Sequence, residues 1–187
     1  MKPDMRAIDA LLNGTHADPF SLLGVHEGPR GRFARVFILG AETAEAFDYA
    51  GKSQGTLTRV DDRGLFEGKV NGRGKIRPLR YTATAGGHEW VHSDAYSFGP
   101  VLGPMDDFLI NEGTHLRLFD KIGAHILTHE GAEGVHFAVW APNAARVSVV
   151  GDFNDWDARR HVMRKRMDIG VWEIFVPHAA VGDLYKF

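Results

Sequence analysis

The stretch Val139-Trp140-Ala141-Pro142-Asn143-Ala144, followed closely by Gly151-Asp152-Phe153-Asn154-Asp155-Trp156-Asp157, decides the fold of this chain. Two short runs rich in β-branched and aromatic residues, 137–140 and 146–150, lie on either side of the Pro-Asn turn and are typical of strands. The second run ends in a polar loop that contains a single tryptophan. The stretch therefore predicts two strands of a β-sandwich, with an aromatic loop at the end of the second.

Composition limits the classes of protein to which the chain can belong. Its 187 residues, 44% apolar and 25% charged, suit one large or two small globular domains. The net charge of −2 argues against a nucleic-acid partner or a polybasic membrane anchor. The lack of cysteine excludes disulfides and thiolate metal sites. No apolar run approaches the roughly 20 residues of a membrane span. Asp4, Arg6 and Asp9 interrupt the apolar stretch that a signal peptide would need. We therefore expect a soluble cytoplasmic protein.

Hydrophobic periodicity predicts one short helix and then strands. Asp4 can cap a helix that Asn13-Gly14 can end, and its apolar stripe is Ala7, Ile8, Leu11 and Leu12. Beyond it the period changes from 3.6 to 2. The predicted strands are 34–39, 44–49, 57–60, 65–70, 79–84 and 89–92 in the first half, and 135–140, 146–150, 162–166, 171–176 and 184–187 in the second. The prediction is an all-β chain of two tandem immunoglobulin-like sandwiches, one over residues 1–103 and one over residues 104–187.

The two halves resemble each other at a spacing of about 104 residues. Gly64–Val70 parallels Gly170–Val176, 34–37 parallels 137–140, and Tyr81 parallels Tyr185. Tandem duplication explains this, with chance similarity between two sandwiches as the alternative. The first copy continues after Tyr81 into one more strand, whereas the second ends at Phe187. We therefore expect the second sandwich to be truncated, with an unpaired edge, in a fragment of a longer protein.

Other patterns in the chain predict neither catalysis nor metal binding. His88-Glu89-Trp90-Val91-His92 matches the zinc pattern H-E-x-x-H, which requires a helix to bring its histidines about 6 Å apart; a strand would separate them by roughly 13 Å. Asp152, Asn154, Asp155 and Asp157 lack the spacing of a calcium loop, and a solvated turn explains them better. His125 and His129 have no completing ligand. We predict no catalytic residue, no metal site and no cofactor.

The four tryptophans separate by pattern. Trp172 alternates with Ile174 and Val176 and is predicted to face inward, and Trp140, at a strand end, is predicted to be core. Trp90 is ambiguous. Trp156 lies in a polar loop, where a flat apolar ring among short hydrogen-bonding side chains suits the apolar face and polar rim of a sugar. Trp156 is therefore a candidate sugar platform, or else a plug over the end of the sandwich.

These motifs together resemble a known family. The second half is similar to carbohydrate-binding module family 48 in W-A-P-N-A at 140–144, G-D-F-N-D-W-D at 151–157, G-V-W-E at 170–173 and Y-K-F at 185–187. The first half carries H-A-D-P-F-S-L-L-G-V-H at 16–26, which resembles the extra N-terminal module of bacterial glycogen branching enzymes. The connector between the halves, predicted to contain one short helical turn, is similar to that family as well.

The resemblance implies a 1,4-α-glucan branching enzyme, a glycosyltransferase of glycogen biosynthesis that forms α-1,6 branches. Catalysis by this family implies a (β/α)₈ barrel with two carboxylates, which we expect beyond Phe187. By motif position, Trp156 and Lys186 match the family's sugar-stacking tryptophan and hydroxyl-binding lysine, and we include Asn154 of the same loop in the predicted site. The implied partners are α-1,4-glucan, held weakly, and the barrel of the same chain. The alternatives are a stand-alone glycogen-binding or scaffold protein and a structural spacer without affinity for sugar.

Overall fold

The computed structural model describes residues 4–29, 31–72 and 74–187, and antiparallel strands dominate it. The helices are α1 (Met5–Leu12) and α2 (Pro104–Asn111). The strands are β1 (Gly24–Gly28), β2 (Gly31–Phe37), β3 (Thr43–Phe47), β4 (Ser53–Asp61), β5 (Leu65–Lys69), β6 (Arg80–Ala85), β7 (His88–Ser93), β8 (Gly123–His129), β9 (Ala132–Trp140), β10 (Val150–Gly151), β11 (Arg164–Arg166), β12 (Val171–Pro177) and β13 (Tyr185–Lys186). The predicted all-β class is confirmed. Within the described ranges, neither helix is long and apolar enough to cross a membrane.

The strands form two compact units. One unit comprises residues 22–99, and the other combines residues 4–21 with residues 100–187. We call them the first and second sandwich. The predicted domain boundary between residues 103 and 104 stays a prediction.

Helix α1 forms as its sequence predicts. The Asp4 side chain accepts a hydrogen bond from the Arg6 N–H at 3.1 Å, which satisfies one of the free donors of the first turn. Asn13 caps the other end, and Ile8 and Leu11 are buried. The spacing of three between the two buried residues places them on one face, so the helix packs along a narrow apolar stripe.

The strands of the first sandwich form one seven-stranded sheet. Its strand order is β1-β2-β5-β4-β3-β6-β7, and every neighbouring pair in it is antiparallel. Alternate residues of the strands point inward, so Val36, Phe66, Tyr81 and Ala83 are buried in a single cluster. The motif at 88–92 lies in β7, a strand as expected.

The second sandwich contains a four-stranded sheet in the order β11-β12-β9-β8 and the short pair β10-β13. An isolated bridge between Ser148 and Val162 joins the two sheets. Strand β12 is buried along its whole length because both of its faces are covered. Trp172 is only 2% exposed, as predicted.

The two sandwiches share strand order and register. Phe37 pairs with Leu65 across β2 and β5, and Trp140 pairs with Val171 across β9 and β12. These pairs coincide with the parallel that the sequence predicts between the two halves. Likewise, the pair of Tyr81 with Ala46 corresponds to the pair of Tyr185 with Gly151.

Trp140 corrects one prediction, since it is 63% exposed and not core. It shares a face of β9 with Ala138, which is buried in a cluster with Leu102 against which Ile110 packs. Trp140 lies at the strand end, where this cover stops. The prediction also missed β1 and β8, and it extended β10 too far back, because residues 146–149 are largely irregular.

Candidate carbohydrate-binding site

The loop after β10 places Trp156 by means of an unusual backbone. Gly151 ends the strand, a short 3-10 helix covers Asp152–Asn154, and Asp155 and Trp156 then have φ angles of 57° and 59°. Two consecutive non-glycine residues in the left-handed region are uncommon, and a bulky residue there is an outlier. The Trp156 N–H donates to the Gly151 carbonyl at 3.1 Å and closes the loop. The surrounding structure therefore enforces the position of the tryptophan.

Asn154 holds this loop from inside. Its side chain accepts from the Gly151 N–H at 2.9 Å and donates to the Val149 carbonyl at 2.9 Å. Its amide nitrogen also lies 2.9 Å from His161 Nδ1. The residue is only 1% exposed, so its amide is used within the protein. Its predicted part in sugar binding stays a prediction, and the geometry is that of a residue that shapes the loop.

The indole of Trp156 is held by a hydrogen bond to Asp152 and is 42% exposed. Its Nε1–H donates to Asp152 Oδ1 at 3.0 Å, and Asp152 Oδ2 accepts from the Leu184 N–H at 2.9 Å. One carboxylate thus ties the tryptophan to the segment that leads into β13. An aromatic ring held in this way loses little conformational freedom when a ligand stacks on it.

Lys186 meets Trp156 from the neighbouring strand. Val150 pairs with Lys186 across β10 and β13, and the Lys186 Nζ lies 5.9 Å from the centre of the Trp156 ring, within the range of a cation–π contact. In the described part of the chain the ammonium has no carboxylate partner. Its three N–H donors are therefore available to a polar ligand beside the ring. The structure brings Trp156 and Lys186 together, with Asn154 beneath them.

The remaining acidic side chains of the loop are paired. Arg160 Nη1 lies 2.9 Å from Asp155 Oδ2, and Arg159 Nη2 lies 2.8 Å from Asp157 Oδ2. The hydrogen bond from Arg159 lowers the pKa of Asp157. Over the described residues, no group of three or more histidines, cysteines or carboxylates is arranged to hold a metal ion.

Sequence reasoning missed an aromatic cluster and a cavity beside Lys186. The rings of Tyr185 and Phe187 lie 5.0 and 6.5 Å from that of Phe137, and both side chains stay partly exposed. A cavity of about 380 Å³ lies next to Phe187. The alternation of Tyr185, Lys186 and Phe187 was a usable signal for the rings. No sequence pattern indicated the cavity, because its walls come from separate segments of the chain.

Comparison with known sequences places the chain in a family. The architecture is an all-β pair of sandwiches, with Trp156 of a loop and Lys186 of β13 side by side in the second. Residues 4–96 match the N-terminal domain of alpha-1,4-glucan branching enzyme GlgB, and residues 121–187 match carbohydrate-binding module 48 (isoamylase N-terminal domain). The chain belongs to the GlgB branching-enzyme family, of which it carries these two domains, and the resemblance seen in its motifs is thereby confirmed.

Several relatives are named 1,4-alpha-glucan branching enzyme GlgB. The chain is 68% identical to that of Novosphingobium aromaticivorans over all 187 residues, which cover 26% of that protein. It is 60% identical to that of Mesorhizobium japonicum and 61% identical to that of Rhizobium meliloti, over 96% of this chain and 24% of each relative. The chain therefore spans about a quarter of the length of the curated relatives it matches.

Proposed function

We propose that this chain is the non-catalytic N-terminal region of a cytoplasmic 1,4-α-glucan branching enzyme, where it binds α-glucan weakly and orients the catalytic barrel. The observation that carries the binding role is the position of the Lys186 ammonium over the Trp156 ring, 5.9 Å from its centre. The α-1,6 branching reaction is assigned to residues outside this chain, and none of its 187 residues receives a catalytic role.

The size of the platform sets the expected affinity. One indole face covers on the order of 100 Å² of sugar, worth ~2.5 kcal/mol at about 25 cal/mol per Å². A dissociation constant of 1 mM corresponds to about −4.1 kcal/mol. The ring alone thus supports millimolar binding or weaker, and firm retention on glycogen would require several sites engaged at once.

A structural spacer without sugar affinity is the second candidate. The observation in its favour is that the Trp156 Nε1–H and the Asn154 amide are already used inside the protein. On this reading the loop would cap the end of the sandwich. The two candidates differ in whether the exposed ring face and Lys186 contact a sugar.

Titration with maltoheptaose separates them, followed by ¹H–¹⁵N NMR of the full chain. We expect shifts confined to the Trp156 indole and its neighbours, at millimolar concentrations, and their loss in Trp156→Ala and weakening in Lys186→Ala. Trp140→Ala is the matched control, since it removes an even more exposed tryptophan outside the loop. A wild-type chain that shows no shift at ~10 mM sugar would be a spacer.

A further inference from the structure

His161 is joined to the Trp156 loop through its backbone and its ring. Its carbonyl accepts a hydrogen bond from the Val149 N–H at 3.1 Å, and its Nδ1 lies 2.9 Å from the Asn154 amide nitrogen. The imidazole is half-buried, and its centre lies 5.6 Å from that of the Phe153 ring. His161 is therefore in contact with the part of the loop that leads to Trp156.

The other contacts of Asn154 decide which hydrogen-bonding role His161 plays. The Gly151 N–H can only donate, so the amide atom 2.9 Å from it is the oxygen. The Val149 carbonyl can only accept, so the amide atom 2.9 Å from it is the nitrogen. That nitrogen has one N–H for Val149 and a second for His161 Nδ1, which must therefore accept. The imidazole is then neutral, with its proton on Nε2.

Protonation of His161 is incompatible with this arrangement. A protonated imidazole donates from both nitrogens, so two donors would face each other across 2.9 Å. Asn154 cannot turn its amide to offer the oxygen, because the oxygen and nitrogen are already bound to the Gly151 N–H and the Val149 carbonyl. Histidine is the side chain that ordinarily gains its proton between about pH 8 and pH 5. The conformation of the loop is thus coupled to the charge of His161.

The other charged side chains of the loop and its flanking segments have partners of their own. Asp155 pairs with Arg160 and Asp157 pairs with Arg159. Two more bind backbone or indole groups: Arg146 donates to the Ala158 carbonyl, and Asp152 accepts from the Trp156 indole and the Leu184 N–H. From β13, Lys186 lies over the Trp156 ring. His161 is the single histidine among residues 146–163, so it is the group of this segment expected to change charge near neutral pH.

We infer that His161 is a positioning residue for Trp156: the neutral imidazole holds the Asn154 amide, and through it the loop, and protonation releases both. The consequence for sugar rests on the proposed function. There, α-glucan binds more weakly at mildly acidic pH, because the ring that carries it is less well fixed before binding. The response of the loop itself requires no sugar.

A pH titration of the full chain, followed by ¹H–¹⁵N NMR, tests the inference. Between about pH 7.5 and about pH 5.5, we expect the Trp156 indole and the Gly151 amide to shift together with the His161 ring along one titration curve. His161→Asn keeps an acceptor at the position of Nδ1 and suits the left-handed φ of 46°, so both signals should stay in place. His178→Asn is the matched control. It removes a histidine with a φ of 64° outside the loop, and the wild-type shifts should persist.

Maltoheptaose then tests the consequence for binding. The dissociation constant of the wild-type chain should rise about fivefold from the higher to the lower pH, the factor that one net hydrogen bond provides, whereas that of His161→Asn should not change with pH. Trp156 and Gly151 signals that do not follow the protonation of His161 would overturn the inference, and so would an equal pH response in His161→Asn. A loop that titrates as expected in a chain that binds no sugar at either pH would support the inference and contradict the proposed function.

Discussion

At the scale of single residues, the Trp156 platform depends on a buried neighbour. The left-handed conformations of Asp155 and Trp156 are unfavourable in isolation and persist only where other contacts enforce them. Asn154 supplies two of these contacts, to the backbone of Gly151 and of Val149. The residue that presents the ring is therefore more deeply buried than the ring itself.

Asn154→Ala should destabilise the second sandwich by about 2–4 kcal/mol, because it leaves the Gly151 N–H and the Val149 carbonyl buried without partners. Urea unfolding measures the loss. Asn154→Asp keeps the acceptor for the Gly151 N–H but places an oxygen opposite the Val149 carbonyl, so it should not restore the lost stability. A change below about 0.5 kcal/mol in Asn154→Ala would show that the loop holds itself without this side chain.

Asp94 is a second residue whose burial has a measurable effect. It is 3% exposed, its Oδ1 accepts from the Tyr96 N–H at 3.0 Å, and its Oδ2 has no partner within the described residues. Burial raises the pKa of Asp94 from 3.8 to about 7. The folded chain thus keeps a proton that the unfolded chain releases near pH 4.

The free energy of unfolding of the first sandwich should therefore fall as the pH rises from about 4 to about 7, by a few kcal/mol, and level off above. In this range the folded state binds more protons than the unfolded state, so the stabilisation is lost as the pH passes the folded pKa. Urea unfolding at several pH values measures it. Asp94→Asn, which keeps the acceptor for Tyr96, should flatten the profile, and an unchanged slope would contradict this account.

At the scale of elements, Glu173 anchors the connector on β12. Its Oε2 accepts from the Val101 N–H at 2.9 Å and the Leu102 N–H at 3.1 Å and lies 3.1 Å from His136 Nε2, while Arg166 binds its Oε1 at 2.8 Å. Burial alone would raise the pKa of Glu173, but the bonds from His136 and the two backbone N–H groups bring it below its ordinary value. Arg166 also pairs with Asp107 of α2.

Glu173→Gln should cost about 3–5 kcal/mol, since it removes the carboxylate at the centre of a buried network and leaves Asp107 as the remaining counter-ion of Arg166. Hydrogen exchange of the Val101 and Leu102 amides should become faster at the same time. A general loss of packing would instead speed exchange at many other positions as well. Arg160→Ala is the control. It breaks the exposed pair with Asp155 and should change the stability by less than about 1 kcal/mol.

The sequence predicted the strands and helix α1 better than it predicted which residues cover their faces. Alternating apolar residues placed β2, β5, β9 and β12 within a few residues of their bounds, and Asp4 and Asn13 fixed the ends of α1. The exposure of Trp140 escaped prediction because it depends on how far Leu102 and Ile110 extend over β9. For the candidate site, the motif placed Trp156 and Lys186, whereas the burial of Asn154 follows from the folded loop.

At the scale of the whole molecule, the N-terminal segment belongs to the second sandwich. Residues 4–21 group with residues 100–187, although they fall within the match to the GlgB N-terminal domain. The Arg164 guanidinium lies 3.9 Å from the centre of the Phe20 ring. Gly14 packs so closely that an added Cβ would lie 2.8 Å from Arg159 Cγ. Periodicity predicted the helix but could not indicate its partner, which is distant in sequence.

Removing residues 1–21 should therefore destabilise the second sandwich more than the first. Hydrogen exchange is expected to quicken in β9 and β12 and to stay nearly unchanged in β2 and β5. Phe20→Ala, which removes only the ring under Arg164, should give the same pattern with a smaller amplitude. Faster exchange mainly in β2 and β5 would place the segment with the first sandwich instead.

This arrangement has a consequence during synthesis. Helix α1 leaves the ribosome before the strands with which residues 4–21 group, since β8 begins roughly 110 residues behind it and synthesis proceeds at about 5–20 residues per second. For several seconds the nascent chain therefore presents Ile8 and Leu11 without their native cover, while residues 22–99 can already fold. Residues 4–21 therefore reach their final place only after the strands of the second sandwich have been made.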